Sequence, residues 1–118
     1  MKGKVMDTDQ KIFEENYLNV VGHIDDFEET LWFKRLSEKE KTNARPTIIL
    51  FSEYMFDYHF QTIVEWDSTN LKDVILNRFP YEVITSIDYF NQVPPIMIHF
   101  FDYLYLSEKL YSRVVFVT

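Results

Sequence analysis

The sequence predicts an all-α domain of four or five helices around an aromatic-rich core, and three observations carry that expectation. Only two glycines and four prolines interrupt 118 residues, too few for the many turns of a β-sandwich. Aromatic side chains make up 18% of the chain, with eleven Phe and eight Tyr. Each can bury roughly 150–250 Å², so a chain of this length needs no metal or disulfide to build a core. Near the N-terminus, Phe13, Tyr17, Val20, Ile24, Phe27 and Leu31 are spaced 4, 3, 4, 3, 4, a heptad stripe on one face of a long helix. A small α+β domain is the alternative, because the apolar runs at 47–51 and 81–89 are too short for their period to decide.

The expected organisation is a flexible leader over 1–8 and a single helical domain over 9–118. The first helix should run from about Asp9 to Leu36. Thr8 or Asp9 can cap it, and Glu14 and Glu15 suit the positive end of its dipole as Lys34 and Arg35 suit the other. Gly22 falls in its middle at a cost of about 1 kcal/mol relative to Ala, which implies close approach by a neighbour or a slight kink. Residues 37–45 read as a polar loop, after which Pro46 fits the first position of a second helix. That helix carries Ile48, Phe51, Met55 and Tyr58 on one face. Ile49, Leu50, Tyr54, Phe56 and Phe60 fill most of the rest, so it should be central.

After Trp66, Asp67 and Ser68 form a cap region for a helix bearing Leu71, Val74, Ile75 and Arg78, which Pro80 should end. Residues 81–89 alternate weakly and are the best strand candidate, although a loop capped by Thr85 or Ser86 is preferred. Pro94 and Pro95 should start the last helix, with Val93, Met97, Phe100, Leu104 and Tyr111 as its stripe and Phe101, Leu106 and Leu110 beside it. The apolar residues 114–117 must dock on the domain or pair with another chain.

Charge is concentrated in one element. The chain carries −7 overall, and between Asp7 and Glu29 eight carboxylates face Lys11 alone. Such a field repels phosphate backbones and favours basic partners, so no direct nucleic-acid binding is expected. Five bases lie within 34–45, but Glu38 and Glu40 interrupt them and a solvated loop accounts for them better. The absence of cysteine excludes disulfides and thiol catalysis and fits a reducing compartment. No apolar run approaches the roughly 20 residues of a membrane span, and no signal core follows Met1, so the expected location is the cytoplasm with no membrane partner.

Candidate chemistry is sparse. His23 with Asp26 and His99 with Asp102 are i,i+3 pairs, and four such ligands on two helices could hold a metal. Their order is the reverse of the Glu-x-x-His pattern of di-iron bundles, and a histidine beside a solvated acid is the preferred account. Asp57 and Asp102 stand inside two Phe-Asp-Tyr tripeptides, at 56–58 and 101–103. A buried acid pair is conceivable there, but both aspartates are expected to face the rim of a core-forming helix. There is no Gly-rich phosphate loop and no nucleophile elbow, so neither an enzyme nor a cofactor is expected. Trp32 and Phe33 lie off the heptad stripe, one turn beyond Asp25, Asp26, Glu28 and Glu29. Large aromatics beside an acidic rim have the composition of an interface centre; cover by another helix or by the C-terminal tail is the competing account.

Over residues 51–110 the order of features resembles a small helical domain of uncharacterised bacterial proteins, often found beside a zinc-binding SEC-C motif. The likeness rests on the aromatic run from Phe51 to Tyr58, the segment from Thr62 to Trp66, Phe79-Pro80, Val83, and Pro94-Pro95 leading into Phe100-Phe101-Asp102-Tyr103. It implies a helical fold and a bacterial source. The SEC-C cysteines are absent, so no zinc site is inherited, and the family offers no catalytic residues to carry over.

The expected function is a non-enzymatic protein-interaction module that engages a partner or a second copy through the acidic first helix, Trp32, Phe33 and the C-terminal valines. An acidic inhibitor that mimics nucleic acid is the alternative, and a metal-binding helical protein is third.

Overall fold

The structure, a computed structural model, describes residues 2–82 and 86–107, with side chains from residue 8 onward. It is all-α, and no strand occurs among the described residues. Three long helices carry it: α1 (Lys2–Glu28), α3 (Glu38–His59) and α6 (Ile87–Leu106). The short α2 (Leu31–Lys34) turns the chain from α1 into α3. A 3-10 turn (Ile63–Glu65), α4 (Ser68–Asp73), a π-helical stretch (Val74–Arg78) and α5 (Phe79–Glu82) connect α3 to α6. Helix α3 is central as expected, packing against both α1 and α6.

The heptad stripe of α1 buries only its second half. Val20, Ile24 and Phe27 are fully buried, Phe13 is half-covered, and Tyr17 is 40% exposed. Leu31 leaves the core altogether at 66% exposure, because the helix does not continue to Leu36. It stops at Glu28, where the Thr30 hydroxyl donates to the Phe27 carbonyl at 2.6 Å and accepts from the Phe33 amide at 3.4 Å. Thr30 therefore ends one helix and caps the next. At the other end the backbone is helical from Lys2, within the stretch expected to be a loose leader. Of the two accounts of Gly22, a close neighbour or a slight kink, the first finds no support: among the described residues a Cβ built there meets nothing within 4 Å.

Two further boundaries differ for one reason. The polar stretch 37–45 is the start of α3, closed by a capping box in which Ser37 accepts from the Glu40 amide and Glu40 accepts from the Ser37 amide. Pro46 thus lies inside the helix. Likewise α6 starts at Ile87, capped by Ser86 at 3.1 Å from the Tyr89 amide, and runs through Pro94 and Pro95. Each proline removes one helical hydrogen bond, and burial on either side outweighs that loss. The strand readings at 47–51 and 81–89 fail accordingly, with Val83, Ile84 and Thr85 lying outside the described residues, as do Leu110, Tyr111 and residues 114–117.

Asp67 caps α4 through the Asn70 amide at 2.8 Å, as the sequence implies. Pro80 does not end the helix. The turn before it widens so that the Phe79 amide reaches the Val74 carbonyl, five residues back. The widening falls where Pro80 has no N–H to give and where its ring would press on the preceding turn.

The core is a lattice of aromatic edges. Phe27 meets Phe100 at 5.2 Å, and Phe51 meets Trp66 at 5.1 Å and Phe101 at 5.6 Å, all near edge-to-face. Such pairs are worth about 0.5–1.5 kcal/mol each beyond the area they bury. A polar seam joins α3 to α6 beside it, where Thr47 and the Tyr89 hydroxyl share a 2.6 Å hydrogen bond and Lys39 pairs with Asp88 at 3.4 Å.

Candidate functional site

The carboxylates at the end of α1 divide into two pairs. Arg45 reaches across from α3, and its Nη2 donates to Asp25 at 2.5 Å and to Glu28 at 2.7 Å. Those bonds, the one to Glu28 foremost, raise the Arg45 pKa further above its usual value. Asp25 and Glu28 are therefore occupied within the chain, while Asp26 and Glu29 remain exposed. The aromatics beside them are half-buried and pack on the core. Phe33 lies edge-on to Phe27 at 5.6 Å, and Trp32 to Tyr103 of α6 at 6.3 Å. The break after Glu28 turns both rings inward and puts Leu31 outward in their place. A concavity of about 260 Å³ lined by Leu31, Trp32 and Arg35 remains on that surface.

The metal candidates stand in different settings. His99 is tied through Nδ1 to the Pro95 carbonyl at 2.8 Å, His23 is half-buried on α1, Asp26 is exposed and Asp102 is half-buried on α6. Among the described residues no group of three or more His, Asp or Glu side chains could hold a metal ion. Asp57 is exposed on α3, as a rim aspartate should be.

One constellation was not visible in the sequence. His59, at the end of α3, places Nε2 2.8 Å from Asp73 Oδ2, and Asn77 donates to Asp73 Oδ1 at 2.8 Å. Arg78 approaches the same carboxylate at 3.5 Å and lies 4.1 Å over the Tyr58 ring, whose hydroxyl donates to Glu82 at 2.7 Å. The Asn77 amide, with help from His59 and Arg78, holds the Asp73 carboxyl below the ordinary aspartate range. The bond to Glu82 raises the Tyr58 hydroxyl. Both oxygens of Asp73 are taken, so the cluster works as a clasp between α3 and the π-helical stretch, not as a free base. Only Asp73 with Asn77, at i,i+4, could have been read from spacing.

A second feature was half visible. Around Phe13, the uncovered half of the α1 stripe opens into two adjoining concavities. One, of about 280 Å³, is lined by Asp9, Gln10, Phe13, Phe56 and Asp57. The other, of about 380 Å³, is lined by Phe13, Glu14, Tyr17, Leu18 and Glu53. Phe13 stands edge-on to Phe56 at 5.4 Å, and Phe56 contacts Phe60 at 4.8 Å. Leu18 is 68% exposed at the margin. Four carboxylates line this trough, and no Lys or Arg does among the described residues. Below it, buried Asn16 accepts from the Ile63 amide at 2.8 Å and fixes α1 to the 3-10 turn.

No protein-family model, curated protein or solved structure matches this chain. No described helix is long and apolar enough to cross a membrane.

Proposed function

We propose that the chain is a non-enzymatic protein-interaction module that meets a partner protein, or a second copy of itself, through the surface of its first helix and the turn after it. One observation carries this reading: Tyr17, Leu18 and Leu31 stay 40, 68 and 66% exposed on the most acidic segment of the chain. Apolar side chains bordered by charge have the composition of a contact surface. Asp26 and Glu29 stand exposed beside Leu31, as Glu14 and Glu15 do beside Leu18. The nucleic-acid-mimic alternative draws less support, since Arg45 interrupts the run of carboxylates it would need.

The test is a double variant, Leu18→Glu with Leu31→Glu, compared with the wild type by sedimentation velocity and by affinity capture from the source cell. The expected result is loss of self-association or of a specific captured protein, with the helical circular-dichroism signal unchanged. Wild-type binding should also persist in half-molar salt, because apolar contact survives screening and charge mimicry does not. If wild type and variant are the same monomer and capture the same proteins, the reading fails.

A further inference from the structure

Resting on that reading, we propose that the trough at Phe13 is a docking groove for a basic amphipathic helix of a partner protein. Its floor is aromatic, formed by Phe13 and Phe56 in edge contact at 5.4 Å. Its rims are anionic: Glu14 and Glu53 beside one concavity, Asp9 and Asp57 beside the other. The chemistry selects the occupant. A neutral apolar segment would take solvent from four carboxylates without replacing it, which is costly, and an acidic segment would be repelled. A helix with apolar residues at i, i+3 and i+7 and Lys or Arg flanking that stripe satisfies floor and rims together. Strand addition is not open to such a partner here, because no sheet edge exists among the described residues. The groove runs between two helices, the geometry that receives a third.

Phe60 adds an independent observation. It caps α3 in the left-handed region, with φ 50° and ψ 41°, where glycine or asparagine is usual. A phenylalanine held there is strained, and its ring is 55% exposed against Phe56 instead of buried in the core. The cap needs only the Phe60 backbone, whose amide bonds to the Phe56 carbonyl at 2.9 Å, so a glycine would close the helix without the strain. Its ring lies against Phe56 of the groove floor at 4.8 Å, outside the two concavities, where a bound helix could extend onto it, and strain retained beside a contact site is the expected pattern.

The experiment uses the whole protein and synthetic peptides of roughly 18 residues, long enough to form a helix. One peptide has a Leu stripe with Lys flanks, a second the same stripe with Glu flanks, and a third Lys flanks around an Ala stripe. Binding is followed by backbone and aromatic NMR shifts. The Leu/Lys peptide should bind saturably, with the largest shifts at Phe13, Tyr17, Leu18 and Phe56. The other two should bind at least about tenfold more weakly. The variant Glu53→Lys with Asp57→Lys should weaken the Leu/Lys peptide by at least about tenfold with its thermal midpoint unchanged, and Phe60→Gly should weaken it without loss of stability. Equal binding of the Ala/Lys peptide would reduce the site to surface charge and overturn the proposal. Shifts centred on Leu31 and Trp32 would also overturn it while leaving the interaction reading standing. No binding of any peptide overturns it too, and if the wild type also neither self-associates nor captures a protein, the broader reading falls with it.

Discussion

At the scale of single residues, positions that look alike in sequence behave differently once neighbours are in place. Gly22 stands in the middle of α1 with open space where a Cβ would go. Among the described residues it meets no neighbour, which leaves the helix-propensity penalty as its main effect. Gly22→Ala should therefore stabilise the fold by about 0.5–1 kcal/mol. Chemical denaturation reads this directly, and a loss of stability would mean that α1 needs a bend or a close approach at that point. Trp32 and Phe33 make the opposite case. Their spacing placed them off the stripe, which reads as exposure only if the helix is continuous. Thr30 ends it, and the same two side chains then fall against Tyr103 and Phe27. A threonine gave little warning, since its hydroxyl acts as a cap only when the chain around it already turns.

At the scale of elements, two of the polar links between α1 and the rest of the molecule should differ in strength. Arg45 makes short bonds to Asp25 and Glu28, yet Asp25 is exposed and Arg45 and Glu28 are partly so, and solvent screens such pairs to roughly 0–1 kcal/mol. Asn16 makes a single neutral bond to the Ile63 amide, but it is buried, and removing it leaves a backbone donor with no partner at a cost of about 1–3 kcal/mol. Urea titration should rank Asn16→Ala as clearly more destabilising than Arg45→Met; the reverse order would show that the ion pairs carry the attachment. The helices themselves were largely legible, through the stripe at Val20, Ile24 and Phe27 and the caps at Asp67 and Ser86. The start of α3 and the passage of α6 through its prolines were not. Pro46, Pro94 and Pro95 have the local signature of a first helical turn, and nothing in the local sequence says that burial of Ile48, Ile96 and Met97 will carry a helix through them. Ser37 and Glu40 have the spacing of a capping box, a signal that the loop reading of 37–45 leaves unused. The trough was half legible: Phe13 and Tyr17 belong to the stripe, but only the fold shows that nothing in α3 or the 3-10 turn covers them fully.

At the scale of the whole molecule, the chain joins a negatively charged first helix to a neutral aromatic core, and its acid sensitivity should come from neither. The carboxyls held below their ordinary value lie in the connection between α3 and α6. Asp73 is lowered chiefly by the Asn77 amide, and Asp67 chiefly by the Gln61 amide and then the Asn70 backbone. Both start from an ordinary aspartate value of 3.8. A carboxyl with a depressed folded-state pKa binds protons less readily when folded than when unfolded. Its contribution is therefore complete above the unfolded value and is lost as pH falls through the folded one. Stability should decline below about pH 4, and the π-helical stretch with its His59 clasp should be among the first parts to loosen. Asp73→Asn separates this account from a general effect of the −7 charge. The variant should be less stable than wild type at pH 7 by about 1 kcal/mol, discounted for the partial exposure of the pair. The difference between the two proteins should then shrink as pH falls below 4, because protonated Asp73 has little more to offer than asparagine. Thermal midpoints measured for both from pH 7 to pH 2.5 decide the matter. A gap that stays constant through that range would place the acid-sensitive group elsewhere in the molecule.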